Sequence, residues 1–450
     1  MASNNNYFIY NAFIINEGKI FRGDVLIQKG KITEVFKERS AIADVCIDND
    51  TVFIDATDLY LMPGVIDTHV HFREPGLTHK ATFLSESKAA IAGGVTSVMD
   101  MPNTIPQTIT IADWKEKVEL AKDKMFTNYA FYIAATNSNI DEIKAIDSKK
   151  VGGIKLFLGS STGNMLLNND AVLEQLLQLK TVPIVVHSED ESIIKANTEK
   201  MTAIYGENIP IEKHPEIRSE EACLLSSEKI IKLARQYHSK VHILHISTAK
   251  ELALFSKTYA NISGEICVAY LYFDDSMYRQ LGTKMKCNPA FKKVEDRNEL
   301  IEALSDGRIL TVASDHAPHT LEEKNNSYLK APSGLPMVQH ILPLMLELYH
   351  QKQIKLQTIV EKMCHAPARL FQIEKRGFIK EDYYADLVLV NMNQSSTITT
   401  DSLFYQCAWS PFENKKLHTT IEKTFVNGVL AYDNGKFITK PTGKPLYFNR

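Results

Sequence analysis

From about residue 61 to residue 312 the chain alternates short apolar runs with longer stretches of helical period, and this alternation restricts the fold more than any other feature. The runs 61–66, 96–99, 130–134, 153–158, 182–186, 240–244, 262–268 and 309–312 read as strands. Helical patterns such as 83–92, 111–122, 171–179 and 219–237 lie between them. Strands that alternate with helices at this spacing make βαβ units and a parallel sheet. Eight strands are the number that closes a (β/α)8 barrel. A doubly wound open sheet is the alternative, but no Gly-x-Gly-x-x-Gly follows the first strand.

The two ends have a different texture. Runs 7–15, 24–28, 31–36 and 51–55 are short strands punctuated by Gly, Asn and Asp, and strand texture returns after residue 374. There 385–391 reads as a strand, and 424–430 turns through Asn427-Gly428, a hairpin signal. The expectation is an α/β chain: a TIM-type (β/α)8 barrel over residues 57–373, beside a small β-sandwich domain that residues 1–56 and 374–450 build together.

Composition serves mainly to exclude. Lys plus Arg number 51 against 54 Asp plus Glu, a net charge of −3, and dedicated nucleic-acid binding usually needs a basic face. The six cysteines, Cys46, Cys223, Cys267, Cys287, Cys364 and Cys407, are scattered without a Cys-x-x-Cys pair, so they form neither a disulfide framework nor a zinc ribbon. No basic segment followed by an apolar one opens the chain, and no run reaches the ~20 apolar residues of a membrane span. A cytoplasmic protein with reduced thiols, no membrane partner and no nucleic-acid partner is expected.

The first barrel strand runs into Asp67-Thr68-His69-Val70-His71-Phe72-Arg73-Glu74-Pro75-Gly76. Side chains on a strand alternate with period two, so Asp67, His69, His71 and Arg73 share a face while the strand lasts. Two imidazoles so placed can hold one metal ion, and imidazole suits zinc and its neighbours. Other strands end in similar groups: 182–186 in His187, 240–244 in His245, 309–312 in the stretch that carries Asp315. In a barrel such C-terminal strand ends converge on one face. His242, three residues before His245, points the other way on this reading and serves packing or supports a ligand. Lys155 stands inside the apolar run of the fourth strand, where an unpaired ammonium is costly. Conversion of its amine to a carbamate with CO2 would give an anion with two oxygens, able to bridge two metal ions.

This set resembles the amidohydrolase superfamily and, within it, the dihydroorotase family of the bacterial type with a lysine bridge. The segments that carry the resemblance are 67–76 (DTHVHFREPG), 93–104 (GGVTSVMDMPNT), 153–164 (GIKLFLGSSTGN), 245–249 (HISTA), 286–290 (KCNPA) and 314–319 (SDHAPH). The resemblance implies two Zn2+ per subunit. His69 and His71 would bind one, with the carbamate of Lys155 and Asp315; His187 and His245 would bind the other, with the same carbamate. It implies reversible cyclisation of N-carbamoyl-L-aspartate to L-dihydroorotate and water, a step of pyrimidine (UMP) biosynthesis. Zinc-bound hydroxide would be the nucleophile, with Asp315 as general acid and base. Arg73, Asn103 and His319 would take the substrate carboxylate, and Asn288 with the backbone at Gly334 and Leu335 the ring edges.

Hydantoins and allantoin lack that carboxylate, and allantoinases tend to carry Asn where Arg73 stands. An allantoinase or hydantoinase, or an inactive scaffold protein of the same fold, is the alternative. Ala269-Tyr270 stands where related dihydroorotases commonly show a His-containing pair. His365, in a stretch that resembles the family's post-barrel helix, is read as packing. A homodimer or higher homo-oligomer is the default assembly. Residues 316–334, long and polar after Asp315, are a candidate lid.

Overall fold

The apolar run expected as one strand over 61–66 is two strands, Tyr60–Pro63 and Val65–Val70, parted at Gly64. A side chain has no room at the break: a Cβ on Gly64 would stand 2.2 Å from Thr96. Residues before it join a sheet made by the chain ends, and those after it open the barrel. The computed structural model describes residues 6–37, 48, 50–159, 165–255 and 261–450; Cys46 and the 160–164 part of the fourth-strand motif lie outside them.

The barrel strands are β1 Val65–Val70, β2 Val95–Asp100, β3 Asn128–Phe131 with its continuation Ile133–Ala134, β4 Ile154–Phe157, β5 Ile184–His187, β6 Val241–Ile243, β7 Ile262–Cys267 and β8 Thr311–Ala313. Each pairs in parallel with the next, as βαβ connections require. Closure between β8 and β1 is made just past the strand ends. Val70 bridges His316, the His71 N–H donates to the His316 carbonyl at 2.7 Å, and Asp67 Oδ1 accepts from the Ser314 N–H at 3.1 Å. The helices expected over 83–92 and 219–237 are Phe83–Ala92 and Glu220–Tyr237, each started by a hydroxyl cap from Thr82 or Ser219. Among the described residues no helix is long and apolar enough to cross a membrane.

Both chain ends enter one nine-stranded mixed sheet. Tyr60–Pro63 is the seam: it pairs with Tyr7–Asn16 on one side and antiparallel with Leu387–Asn391 on the other. Alternate residues, among them Ile9, Ile14, Val25, Leu61, Leu387, Leu389 and Phe425, form one apolar core of their own. Thr420–Val426 and Val429–Asp433 make the hairpin expected at Asn427-Gly428, with φ of 53° and 74° at the two turn residues. Positive φ at both central positions is what a two-residue hairpin turn needs, and Asn-Gly supplies it at least cost.

Two polar knots fasten this sheet to the barrel. Asp386, buried, ion-pairs with buried Arg376 and accepts from the Asn427 N–H at 2.7 Å and from Nδ2 of Asn128, the first residue of β3, at 3.1 Å. His365 faces the Gly377 carbonyl through Nδ1 at 2.6 Å, accepts from the Glu17 N–H at 2.9 Å, and stacks on Phe378 with ring centroids 4.3 Å apart. His365 is therefore a tether between the post-barrel helix and the N-terminal hairpin, in line with the packing role expected of it. Asp386→Ala would leave the buried Arg376 guanidinium uncompensated, which typically costs about 3–5 kcal/mol. Denaturant unfolding should show a loss of that order, and an unchanged midpoint would mean that the knot carries no stability.

Candidate metal centre and active site

The expected donors do converge at the C-terminal end of the barrel. His69 lies in β1 and His71 just beyond it, Lys155 in β4, and His187 ends β5. His245 and Asp315 follow β6 and β8, and both have left-handed backbone, at φ 39° and 47°. Arg73 shares that conformation at φ 64°. For residues with a Cβ this costs roughly 1–2 kcal/mol each and persists only where the surroundings over-determine it. Ring centroids lie 5.4 Å apart for His69 and His71, 5.5 Å for His69 and His245, and 4.7 Å for His187 and His245. These four rings, with Lys155 and Asp315, line a cavity of about 380 Å³ that Arg73, Asn103, Asn288 and Gly334 also line.

Hydrogen bonds on the outer ring nitrogens decide which way each lone pair faces. Glu265 Oε1 lies 2.9 Å from His69 Nδ1. Burial would raise the Glu265 carboxyl, but His69 and His242 beside it hold it well below the usual range, so it stays an acceptor. In the neutral ring the His69 proton therefore sits on Nδ1 and the lone pair on Nε2. His71 Nδ1 donates to Asn103 Oδ1 at 2.6 Å, and burial lowers this imidazole to about 3, so its Nε2 is also a lone pair. Both Nε2 atoms face Asp315 Oδ1, at 3.2 and 3.1 Å. Burial would raise Asp315 too, yet His69, His71 and His245 hold it far below the usual carboxylate range.

That depression of Asp315 comes from protons on the rings; where both rings are neutral instead, two lone pairs and a carboxylate oxygen converge with no proton to share, an arrangement that a cation resolves. On the other side His187 Nε2 faces Glu189 Oε2 at 2.8 Å, which leaves Nδ1 turned to His245 Nε2 at 2.9 Å. His245 Nδ1 is buried without a partner among the described residues. His69, His245 and Asp315 each place a donor atom within 4.8 Å of the others. Nitrogen and carboxylate donors at this spacing suit a divalent transition metal. Lys155 completes the centre: its amine is buried 4.7 Å over the Phe157 ring, and burial lowers it from 10.5 to about 7.

The carboxylate wall is also assembled. Arg73 Nε donates to the Pro318 carbonyl at 3.0 Å, and its Nη2 lies 3.0 Å from His319 Nε2. Lys80 donates to His319 Nδ1 at 3.0 Å, and His319 Nε2 donates to the Ser333 carbonyl at 3.0 Å. A neutral ring protonated on Nε2 satisfies those two contacts and leaves Arg73 Nη2 beside it without a hydrogen bond to the ring, and burial, with Arg73 and Lys80 close by, keeps the ring neutral. Asn288 Oδ1 accepts from Ser333 Oγ at 3.0 Å. His319 does not line the cavity but backs Arg73, and Leu335 is a core residue whose carbonyl accepts from the Ala317 N–H at 2.8 Å. Of the two backbone positions expected at the ring edges, Gly334 lines the cavity and Leu335 does not.

Several supporting groups escaped sequence reasoning. Glu265, fully buried in β7, could have been flagged as Lys155 was, by a charge inside an apolar strand. Glu189 stands two residues after His187, the spacing that puts side chains on one face of a strand; it also ion-pairs with Arg218, which lines the cavity. His242 departs from the expected direction. It points into the barrel, 2.8 Å from Ser263 Oγ and 3.8 Å from Glu265 Oε2, because β6 ends at Ile243 and the turn at His245 resets the alternation. Tyr270 donates to the Pro289 carbonyl at 2.6 Å and so braces the residue after Asn288.

Removal of the Glu265 charge should loosen the centre from behind. Groups that orient metal-binding imidazoles typically carry about 10–100-fold in affinity. Glu265→Gln should weaken metal retention against a chelator by about tenfold or more, and unchanged affinity would separate Glu265 from the centre.

Comparison with known proteins matches the fold and the site to one family. The model of the amidohydrolase family covers residues 60–431. The dihydroorotase of Halobacterium salinarum is 32% identical over 422 residues, spanning 91% of this chain and 96% of the relative. That of Methanosphaera stadtmanae is 30% identical over 91% and 94% of the two chains, and that of Pyrococcus furiosus 30% over 96% of each. Among solved structures, the L-hydantoinase (dihydropyrimidinase) of Arthrobacter aurescens superposes with a TM-score of 0.91 at 24% identity, over 98% of this chain and 99% of that one. The dihydropyrimidinase of Brevibacillus agri gives 0.89 at 23%, over 99% and 100%. Both are likenesses of fold. A match across most of the length, on a barrel whose strand ends gather these donors, means that the chain belongs to the amidohydrolase family.

Proposed function

We propose that the protein is a dihydroorotase, interconverting N-carbamoyl-L-aspartate and L-dihydroorotate at a centre of two zinc ions. The observation that carries this reading is Arg73. It is a buried guanidinium two residues past His71, facing the cavity, with neutral His319 behind it. A planar fork of this kind matches a carboxylate bidentately. Dihydroorotate offers one, hydantoin does not. Asn103, whose Oδ1 is taken by His71, keeps its amide N–H2 for the same anion.

His69, His71 and Asp315 would hold one ion and His187 with His245 the other, and Lys155, as a carbamate, would supply oxygens to both. An amine lowered to about 7 is substantially neutral at neutral pH, which is the form that adds CO2. When bound, the metal ions would polarise the ring amide and make a water acidic near neutral pH. Asp315, ionised and with 18% of its side chain exposed, is placed to take a proton from a water whose oxygen adds to the ring carbonyl carbon, and to return it to the ring nitrogen as the C–N bond breaks. In the biosynthetic direction the same carboxyl takes the ureido N–H proton as that nitrogen closes on the substrate carboxyl carbon, and gives it to the oxygen that leaves as water. Arg73 and Asn103 hold the substrate carboxylate, while Asn288 and the Gly334 backbone border the ring. The reading includes a homodimer or higher homo-oligomer in the cytoplasm, with barrel residues 57–373.

Purified protein assayed with dihydroorotate, hydantoin and allantoin should turn over the first. Activity on hydantoin alone would sink the proposal. Arg73→Ala should lose about a hundredfold or more in kcat/KM for dihydroorotate with metal content retained, as expected when one partner of a buried charged contact is removed. Lys155→Ala should lose metal and activity, and added short carboxylic acids should restore part of both. Full metal content in that variant would refute the bridge.

A further inference from the structure

Among the largest fully buried side chains of the protein are three lysines, Lys117, Lys155 and Lys324. Lys117 has a carboxylate beside it, Asp100 at 2.5 Å, and Lys155 faces the proposed metal centre. Lys324 has neither. Its Nζ donates to three backbone carbonyls, those of Lys286 at 2.8 Å, Pro332 at 3.0 Å and Gly334 at 3.0 Å. Three carbonyls need three N–H groups, which the ammonium has and the neutral amine lacks.

Lys286 does the complementary work. Its Nζ donates to the carbonyls of Tyr328 at 2.5 Å and Ala331 at 2.8 Å and sits 4.4 Å over the Tyr328 ring. Its own carbonyl accepts from the Gly334 N–H at 2.9 Å. The carbonyls of residues 328, 331, 332 and 334 therefore all end on two ammonium groups. Every residue from 328 to 334 lines the cavity. Gly334, at φ 143°, lies so close to the chain after Asp315 that a Cβ would stand 2.4 Å from the Ala317 carbonyl oxygen.

We propose that Lys324, together with Lys286, is the positioning element of the substrate wall: the two ammonium groups gather the carbonyls of residues 328–334 and hold that segment against the cavity before substrate arrives. The role assigned to the wall rests on the dihydroorotase reading. The segment expected from its length to be a lid is, at its inner end, a preset face. Burial lowers Lys324 from 10.5 to about 7, while the three carbonyls around its Nζ favour the charged form; in that form, with no carboxylate paired to it among the described residues, it adds to the field that an anionic substrate meets. The ionisable groups around it are Cys287, Lys286 and Arg73, and a charge in a low-dielectric wall acts more strongly than one in water.

The test is Lys324→Met, with Lys286→Met as the second cut through the same clasp and Glu322→Gln, exposed on the short helix Leu321–Lys324, as the control. Amide exchange at Lys330, Ala331 and Gly334 is followed in the substrate-free, metal-loaded protein, alongside steady-state kinetics. Loss of a hydrogen bond to a charged group corresponds to about tenfold or more. In the lysine variants exchange at these amides and KM for dihydroorotate should rise by about that factor, with kcat changing far less, metal content retained and the control behaving as wild type. If Lys324→Met does not fold, Lys286→Met decides. Unchanged exchange, a fall in kcat at constant KM, or loss of metal in the folded variants would overturn the proposal. If wild-type protein fails to turn over dihydroorotate, the functional reading falls, while the exchange measurement still decides whether the clasp exists.

Discussion

The centre depends on the contact between Glu265 and His69. A carboxylate buried on β7 is costly unless its oxygens are satisfied. Here one oxygen faces His69 Nδ1 at 2.9 Å and the other accepts from Thr68 Oγ1 at 3.1 Å. This places the His69 proton outward and its lone pair inward. His71 is set the same way by Asn103, and the inward Nε2 atoms both face Asp315 Oδ1. The orientation of both rings is thus imposed by the groups behind them. The left-handed backbone at His245 and Asp315 belongs to the same economy: both residues leave their strands early, so that side chains from separate strands reach one point.

Much of this was legible in the sequence, and the reason is periodicity. His69 and His71 stand two apart at a strand end, His187 ends another strand, and Lys155 interrupts an apolar run; a barrel then brings the strand ends together without further information. The ends of the chain were legible as strands, but their seam was not. Tyr60–Pro63 reads as part of the first barrel strand, and only contact with Thr96 and the pairing with Leu387–Asn391 reveal that Gly64 divides it. Alternation failed at His242 for a related reason: it holds only while the strand does, and β6 is short. The backbone reversal at Arg73 has no signature in residue type, because it is imposed by contacts. The Phe72 N–H donates to Asp100 Oδ1 at 2.7 Å, and Asp100 is held in turn by Lys117.

The shared fold leaves the substrate open. Hydantoinases superpose over nearly the whole chain, so the architecture says nothing about which cyclic amide is opened. Donors that hold metal act on the amide common to all these substrates and cannot discriminate among them. Discrimination has to come from groups that sense what differs, and for dihydroorotate that is a carboxylate. In this cavity the group of the right chemistry is Arg73, whose guanidinium burial lowers from 12.5 to about 10 and therefore leaves charged at neutral pH. A buried cation of this kind is stabilised by an anion far more than by a neutral ring, since desolvation has already been met in the folded protein. On the dihydroorotase reading proposed above, a ligand without the carboxylate would forgo that contact, so discrimination would follow as much from the penalty on the wrong substrate as from attraction of the right one.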